Sequence, residues 1–205
     1  MMKKILMILA AAAVVGCGTQ EKTTSATTPR MEQTRNQQPV PPAPPKPPKN
    51  MDLPAQKDAS GNLSGIQNKS AFMYQPFATW FTPRYDSYNP DAEIVSAIEE
   101  NLEGVEIRAY MGTWCGDSKR ETPKFYKLLD QANYDLDDLT MITVDRSKRK
   151  PEDLVSGYNI MRVPTFIFYK DGEEIGRYVE RPRESLEKDI LKIVSGQEYK
   201  HSYEN

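Results

Sequence analysis

The sequence predicts an α/β domain with a central mixed sheet of four to five strands flanked by helices, preceded by a disordered tether. Two observations carry this. Between residues 91 and 197, short strand-like runs alternate with amphipathic runs in the order helix, strand, helix, strand, helix, strand, strand, helix. Alternation of that kind builds a sheet covered by helices. Upstream the composition changes: residues 18–72 are rich in Thr, Gln, Lys, Ser and Asn, with almost no apolar periodicity. Such a stretch buries too little surface to offset its ordering entropy.

Each element has its own signal. Asn89-Pro90-Asp91 starts a helix, Ile94, Ile98 and Leu102 give it one apolar face, and Gly104 stops it. Residues 105–111 are strand formers. Residues 119–133 carry Phe125, Leu128, Leu129 and Ala132 at helical spacing. A second buried strand is expected at 139–144, a charged solvated loop with Arg146, Lys148, Arg149 and Lys150 after it, and a short helix at 151–158. Two further strands, 164–169 and 173–179, meet at Asp171-Gly172, a strong signal for a tight hairpin. The last helix is expected over 183–194, and residues 198–205 read as a polar tail.

The chain has 205 residues, 38% hydrophobic, with 27 basic and 29 acidic side chains and a net charge of −2. Its mean hydropathy of −0.68 fits one ordinary domain plus segments that build no core. The charge balance gives no reason to expect nucleic acid as a partner. Met1-Met2-Lys3-Lys4 is a short basic start, followed by an apolar run over 5–15 that is too short to span a bilayer comfortably but suits a signal peptide. The run ends in Val14-Val15-Gly16-Cys17, which resembles a bacterial lipoprotein processing site. Residues 1–16 are therefore expected as a lipoprotein signal peptide, and Cys17 as the lipidated residue that anchors the protein to a membrane. The expected location is the bacterial cell envelope, on the extracytoplasmic side.

Residues 17–72 are expected as the tether. Its Pro-rich stretch over 39–48, at ~3.1 Å per residue, would extend roughly 30 Å as a polyproline II spacer. Residues 73–90 crowd Phe77, Trp80, Phe81, Tyr85 and Tyr88 together. They are expected to pack on the domain as a lead-in, the alternative being a substrate or partner surface.

Of the chain's 2 Cys, lipidation would consume one, leaving Cys115 as a lone thiol in a compartment where disulfides persist. Cys115 follows a buried strand and opens a helix, where unpaired backbone N–H groups and the helix dipole favour an anionic, nucleophilic sulfur. The Ser118 hydroxyl is expected to donate to that thiolate, Trp114 to cover it, and Asp117 to oppose it. No His/Cys cluster supports a metal, no cofactor is implied, and His201, the only histidine, lies in the tail.

At this point residues 91–197 resemble a thioredoxin-superfamily domain. The ordered set that carries the resemblance is Trp114-Cys115-Gly116 closing a central strand, Pro123 eight residues after the Cys, Val163-Pro164-Thr165 before the run Phe166-Ile167-Phe168-Tyr169, and Asp171-Gly172 in the last hairpin. The resemblance implies that Pro164 is cis and that Val163 offers its backbone to an extended substrate. Trp114, Gly116, Asp117, Val163, Pro164 and Thr165 would then line the substrate site, with Cys115 and Ser118 at the reacting centre.

Three departures stand out. Ser118 occupies the place of the resolving Cys, Ala109 that of a buried acid, and Glu180-Arg181-Pro182 that of a glycine-containing turn. The expected function is monothiol thiol–disulfide exchange, of isomerase or mixed-disulfide type, by a monomer acting on exported proteins or small thiols. The alternative is a redox-silent binding module on the same fold.

Overall fold

In the computed structural model, which describes residues 56–204, β2 (Val105–Met111) is the middle strand of a five-stranded sheet. It runs parallel to β3 (Leu139–Thr143) and antiparallel to β4 (Thr165–Lys170). The edges are β1 (Gly65–Gln67), antiparallel to β3, and β5 (Glu173–Val179), antiparallel to β4. The expected mixed sheet is therefore present, in the order β1-β3-β2-β4-β5. The signal segment 1–16, Cys17 and the Pro-rich stretch lie outside the described residues.

Strand periodicity sends alternate residues to opposite faces. Val105, Ile107, Ala109 and Met111 of β2 join one core beneath α1 (Ala78–Ser87), α2 (Ala92–Asn101), α3 (Gly116–Gln131) and α5 (Leu186–Val194). Tyr110 faces the other way, into a smaller core with Ile142, Ile167, Val155 and Tyr158 beneath α4 (Glu152–Val155). Among the described residues, no helix is long and apolar enough to cross a membrane.

Side-chain caps fix the helix ends. Asp91 accepts from the Glu93 and Ile94 amides at the start of α2. The last helix begins at Leu186, later than residue 183, because Ser185 caps it through the Lys188 amide. The Arg183 and Glu184 amides turn back instead to the buried carboxylate of Asp189. Asp171 and Gly172 both have positive φ, 53° and 81°, as a two-residue hairpin of this kind needs.

Two expectations are corrected. The stretch assigned to the tether does not stay loose to residue 72, since residues 56–72 are folded onto the domain. Asp58 closes a turn by accepting from the Ser60 and Asn62 amides, β1 adds an edge to the sheet, and Leu63 and Phe72 are buried. Few apolar residues suffice there because the sheet edge supplies the hydrogen bonds. The polar tail, too, is docked: Tyr199 donates to Asp189, Ser202 to the Arg181 carbonyl, and Arg183 to the carbonyls of His201 and Glu204. Polar composition there reflects hydrogen bonding to the domain.

The aromatic lead-in packs on the domain. Phe81 of α1 is fully buried, stacks on Phe72 at 5.6 Å between centroids, and meets Tyr126 of α3 edge-on at 5.8 Å. Tyr85 and Lys69 both bond the Asp130 carboxylate of α3. Met73 and Tyr74 remain at the surface. Phe81→Ala should lower stability by about 3–5 kcal/mol, the usual cost of emptying a buried aromatic site. Urea unfolding monitored by circular dichroism reads it, and a loss below about 1 kcal/mol would mean the lead-in is dispensable to the core.

Candidate functional site

The site is built where β2 hands over to α3. Cys115 occupies the N-cap position with extended backbone, and its side chain makes no capping bond to the helix. The first turn of α3 thus begins directly behind the sulfur, as expected of a cysteine that opens a helix. The Cys115 amide donates to the Gly112 carbonyl, which closes the turn over Thr113 and Trp114.

The Ser118 side chain is fully buried and accepts a hydrogen bond from the Gly112 amide at 3.2 Å. That bond ties the first turn of the helix back to the end of the strand. The expected hydrogen bond from this hydroxyl to the sulfur is not formed, and the sulfur finds its partner elsewhere. Cys115, half-buried, has Sγ 3.4 Å from the Val163 carbonyl, to which the thiol donates. The Val163–Pro164 bond is cis. Val163, Pro164 and Thr165 are buried, with the Thr165 hydroxyl donating to the Arg162 carbonyl at 2.8 Å.

Trp114 lies partly over this turn. Its Nε1 donates to the Val144 carbonyl at 2.8 Å, and the Arg146 guanidinium sits 5.4 Å from its ring centre. A Cβ on Gly112 would fall 2.5 Å from the indole ring, so only glycine admits it. Gly116, beside the sulfur, is exposed, and a Cβ there would meet nothing within 4 Å. The approach to Cys115 is open on that side. Asp117 is neutralised by Arg120 at 2.7 Å, which reduces its opposition to a developing negative charge.

Ala109 lies fully buried between Met141 of β3 and Phe166 of β4. The floor behind the site is therefore apolar at that position. The third departure also has a defined shape. Glu180 adopts φ 61°, its amide donates to the Pro164 carbonyl at 2.7 Å, and its carboxylate receives Arg162 and the Tyr203 hydroxyl. Arg162 in turn stacks on the Tyr203 ring at 3.9 Å. The docked tail thus braces the loop flanking Pro164.

Several features escaped the sequence. The 62–63 segment braces the turn from outside, with the Leu63 amide donating to Thr113 Oγ1 at 3.1 Å. Glu121 is buried on α3, with Oε1 bound by Arg120 and Oε2 without a partner. Its spacing from Ser118, Phe125 and Leu128 marks the core face, but its charge argues against burial. Arg108 is buried on β2, donating to the Tyr110 hydroxyl and to the Leu154 carbonyl at 2.9 Å, with its guanidinium 3.9 Å from the Tyr158 ring centre. Burial lifts the hydroxyl of Tyr110 well above its ordinary range, against the opposing pull of Arg108.

The loop after β3 is equally defined. Asp145 accepts from Ser147 Oγ and from the Arg149 and Lys150 amides. Partial burial raises this carboxyl, but those bonds outweigh it and hold it down to about 2. Among the described residues no group of three His, Cys, Asp or Glu is placed to hold a metal ion.

Sequence comparison with known proteins agrees with the family resemblance of this domain. A thioredoxin family model matches residues 92–192. The chain is 32% identical to thioredoxin-1 of Caenorhabditis elegans over 100 residues, covering 49% of this chain and 82% of that protein. It is 29% identical to thioredoxin of Gallus gallus over 104 residues, covering 51% of this chain and 90% of the avian protein. Among solved structures, mitochondrial thioredoxin 3 of Saccharomyces cerevisiae in its oxidised form is similar at 26% identity, covering 52% of this chain and 96% of that one, with a TM-score of 0.33.

Gly112→Ala should push the Trp114 ring aside and break its bond to Val144, costing about 1–3 kcal/mol as overpacking does. Alkylation of Cys115 should change rate in the same variant, because the turn that positions the sulfur moves with the indole. Unchanged stability together with unchanged alkylation would contradict this reading of the turn.

Proposed function

The chain belongs to the thioredoxin family, and on that premise we propose that it performs thiol–disulfide exchange with a single sulfur, that of Cys115. The observation that carries the reading is the pairing of Cys115 with Ser118. The sulfur stands at the helix start beside Val163, while one turn on, where a second thiol would resolve the adduct, a buried hydroxyl is bonded to backbone.

In the first step the Cys115 thiol leaves the Val163 carbonyl, loses its proton to water and attacks one sulfur of a partner disulfide. A bond forms between Cys115 Sγ and that sulfur as the partner's S–S bond breaks, and the second sulfur departs as a thiolate that takes up a proton. The adduct has no internal exit, because a serine hydroxyl does not displace a disulfide. A thiol from outside, either the partner's own or a small molecule's, attacks it and restores Cys115. No net electrons are consumed when the partner's own thiol returns, which is isomerisation. Removal of a thiol adduct needs one external thiol per turn.

During the encounter, the open side at Gly116 admits the partner. Val163 supplies backbone for an extended segment, and Trp114 supplies an apolar contact. The site residues are thus Cys115 as nucleophile, Ser118 as the residue that positions the helix start, and Trp114, Gly116, Asp117, Val163, Pro164 and Thr165 as the groove.

The N-terminus extends the reading to location. The basic start, the apolar run and Gly16-Cys17 support export and lipidation at Cys17, which would hold a monomeric domain at the cell envelope among exported disulfide proteins. The redox-silent alternative predicts that the sulfur is dispensable.

One experiment separates the two. Membranes from cells expressing the native chain should show disulfide-linked adducts on a non-reducing gel, absent in Cys115→Ser. Ser118→Cys should lose those adducts by internal resolution and gain catalysed reduction of insulin disulfides with dithiothreitol. Adducts that persist in Cys115→Ser, or a Cys115→Ser strain with every partner interaction and phenotype intact, would overturn the proposal.

A further inference from the structure

We propose that the pocket beside Met161 seats an acidic stretch of the disulfide-bearing partner, so that partners with Asp or Glu a few residues from the reacting cysteine are preferred. The inference rests on the exchange reading above and adds the class of partner. The pocket, about 500 Å³, has Lys148, Arg149 and Lys150 on one wall and Val155, Ile160 and Met161 on another. Glu152 is the acid in the lining, and Lys150 at 3.3 Å already engages it. The Lys148 ammonium rests on the Arg146 carbonyl, and the Arg149 guanidinium pairs with no carboxylate among the described residues. In a chain of net charge −2, this is a local excess of positive charge.

The loop is shaped before any partner arrives. Asp145 gathers the Arg149 and Lys150 amides and the Ser147 hydroxyl, so its own charge is spent inside the loop. Beneath the opposite wall, the buried Arg108 guanidinium holds the Leu154 carbonyl, next to Val155, and has Nη1 without a partner. A lone basic loop would be a solvated surface, whereas this one faces an apolar wall across a cavity.

Position ties the pocket to the chemistry. Met161 is 76% exposed and lies two residues before Val163, whose carbonyl touches the reactive sulfur. A strand advances ~3.3 Å per residue. A partner segment extended along 161–163 therefore carries its side chains over the pocket within about two to four residues of its cysteine. Arg146, on the Trp114 ring, extends the same charge toward the sulfur. The exposed Met161 thioether suits varied apolar neighbours. A nucleic acid would need a far broader basic face than this, so a mixed acidic and apolar polypeptide is the occupant that fits.

The test uses the full chain and synthetic peptides, each with one cysteine blocked as a mixed disulfide with thiopyridine, and with acidic, neutral or basic flanks. Release of thiopyridone gives the rate of attack by Cys115. The acidic peptides should react about tenfold or more faster than the neutral ones at low salt, the range of electrostatic steering, with the advantage shrinking as salt rises. Lys148→Glu combined with Arg149→Glu should abolish or invert the preference while leaving the rate with uncharged dithiodipyridine unchanged. Equal rates for all peptides, or a preference that survives the charge reversal, would overturn the inference.

Failure of dithiodipyridine itself to react would sink the exchange reading alone. The pocket is then read separately, by fluorescence anisotropy of the acidic peptide carrying Ser in place of Cys. Binding lost in the double reversal supports it, and absence of binding overturns it. A dimer in sedimentation that the double reversal dissociates would assign the pocket to a second copy of the chain and overturn it as well.

Discussion

The turn from β2 into α3 closes because Gly112 has no side chain, and the placement of the Cys115 sulfur depends on that. The Trp114 indole fills the space a Cβ would take, while the Gly112 amide reaches Ser118 and its carbonyl receives the Cys115 amide. These contacts fix the first turn of α3 against the end of the strand. With the helix start fixed there, the Cys115 sulfur lies against the Val163 carbonyl. Steric exclusion at one residue thus sets the geometry, and hydrogen bonds hold it.

Around that turn, the thioredoxin-like sheet and its helices act as a frame. Thr113 is held from outside by Leu63 of the N-terminal segment, and Trp114 by the Val144 carbonyl at the end of β3. The Pro164 loop is held by the Glu180 amide, and Glu180 by Arg162 and the docked tail. Segments distant in sequence therefore converge on the site, and each contributes a bond to backbone or to a bracing side chain. Ala109 beneath leaves the floor apolar at the point where the thioredoxin resemblance implies a buried acid. That absence and the hydroxyl at position 118 are chemically consistent, since a buried base serves little purpose without a second thiol to deprotonate.

Much of the frame was legible in the sequence. Alternating residues of β2, the apolar face of α3, the Asp171-Gly172 hairpin and the Trp114-Cys115 junction all declare themselves by local pattern. What stayed hidden depends on non-local partners. β1 is only three residues long and exists because β3 offers an edge, with Thr143 donating to the Gly65 carbonyl. The tail is polar because it is hydrogen-bonded, and composition does not distinguish a docked polar segment from a solvated one. Arg108 and Glu121 sit at core-facing positions whose charge reads as surface; Arg108 is accommodated by Tyr110 on its own strand and by the Leu154 carbonyl and the Tyr158 ring from elsewhere, Glu121 by Arg120 and Lys124 of its own helix. The Ser118 hydroxyl was legible as a candidate site position, but its bond to Gly112 follows from the closeness of the turn.

The central claim is that one sulfur begins an exchange it cannot finish alone. Intact-protein mass spectrometry of the purified chain, mixed with a small symmetrical disulfide and then freed of excess reagent, tests it most directly. The account predicts a single adduct of one half-disulfide on Cys115 that persists until an external thiol is added, and then disappears with recovery of the original mass. Spontaneous loss of the adduct without added thiol, or no adduct at all under conditions where free cysteine reacts, would contradict it.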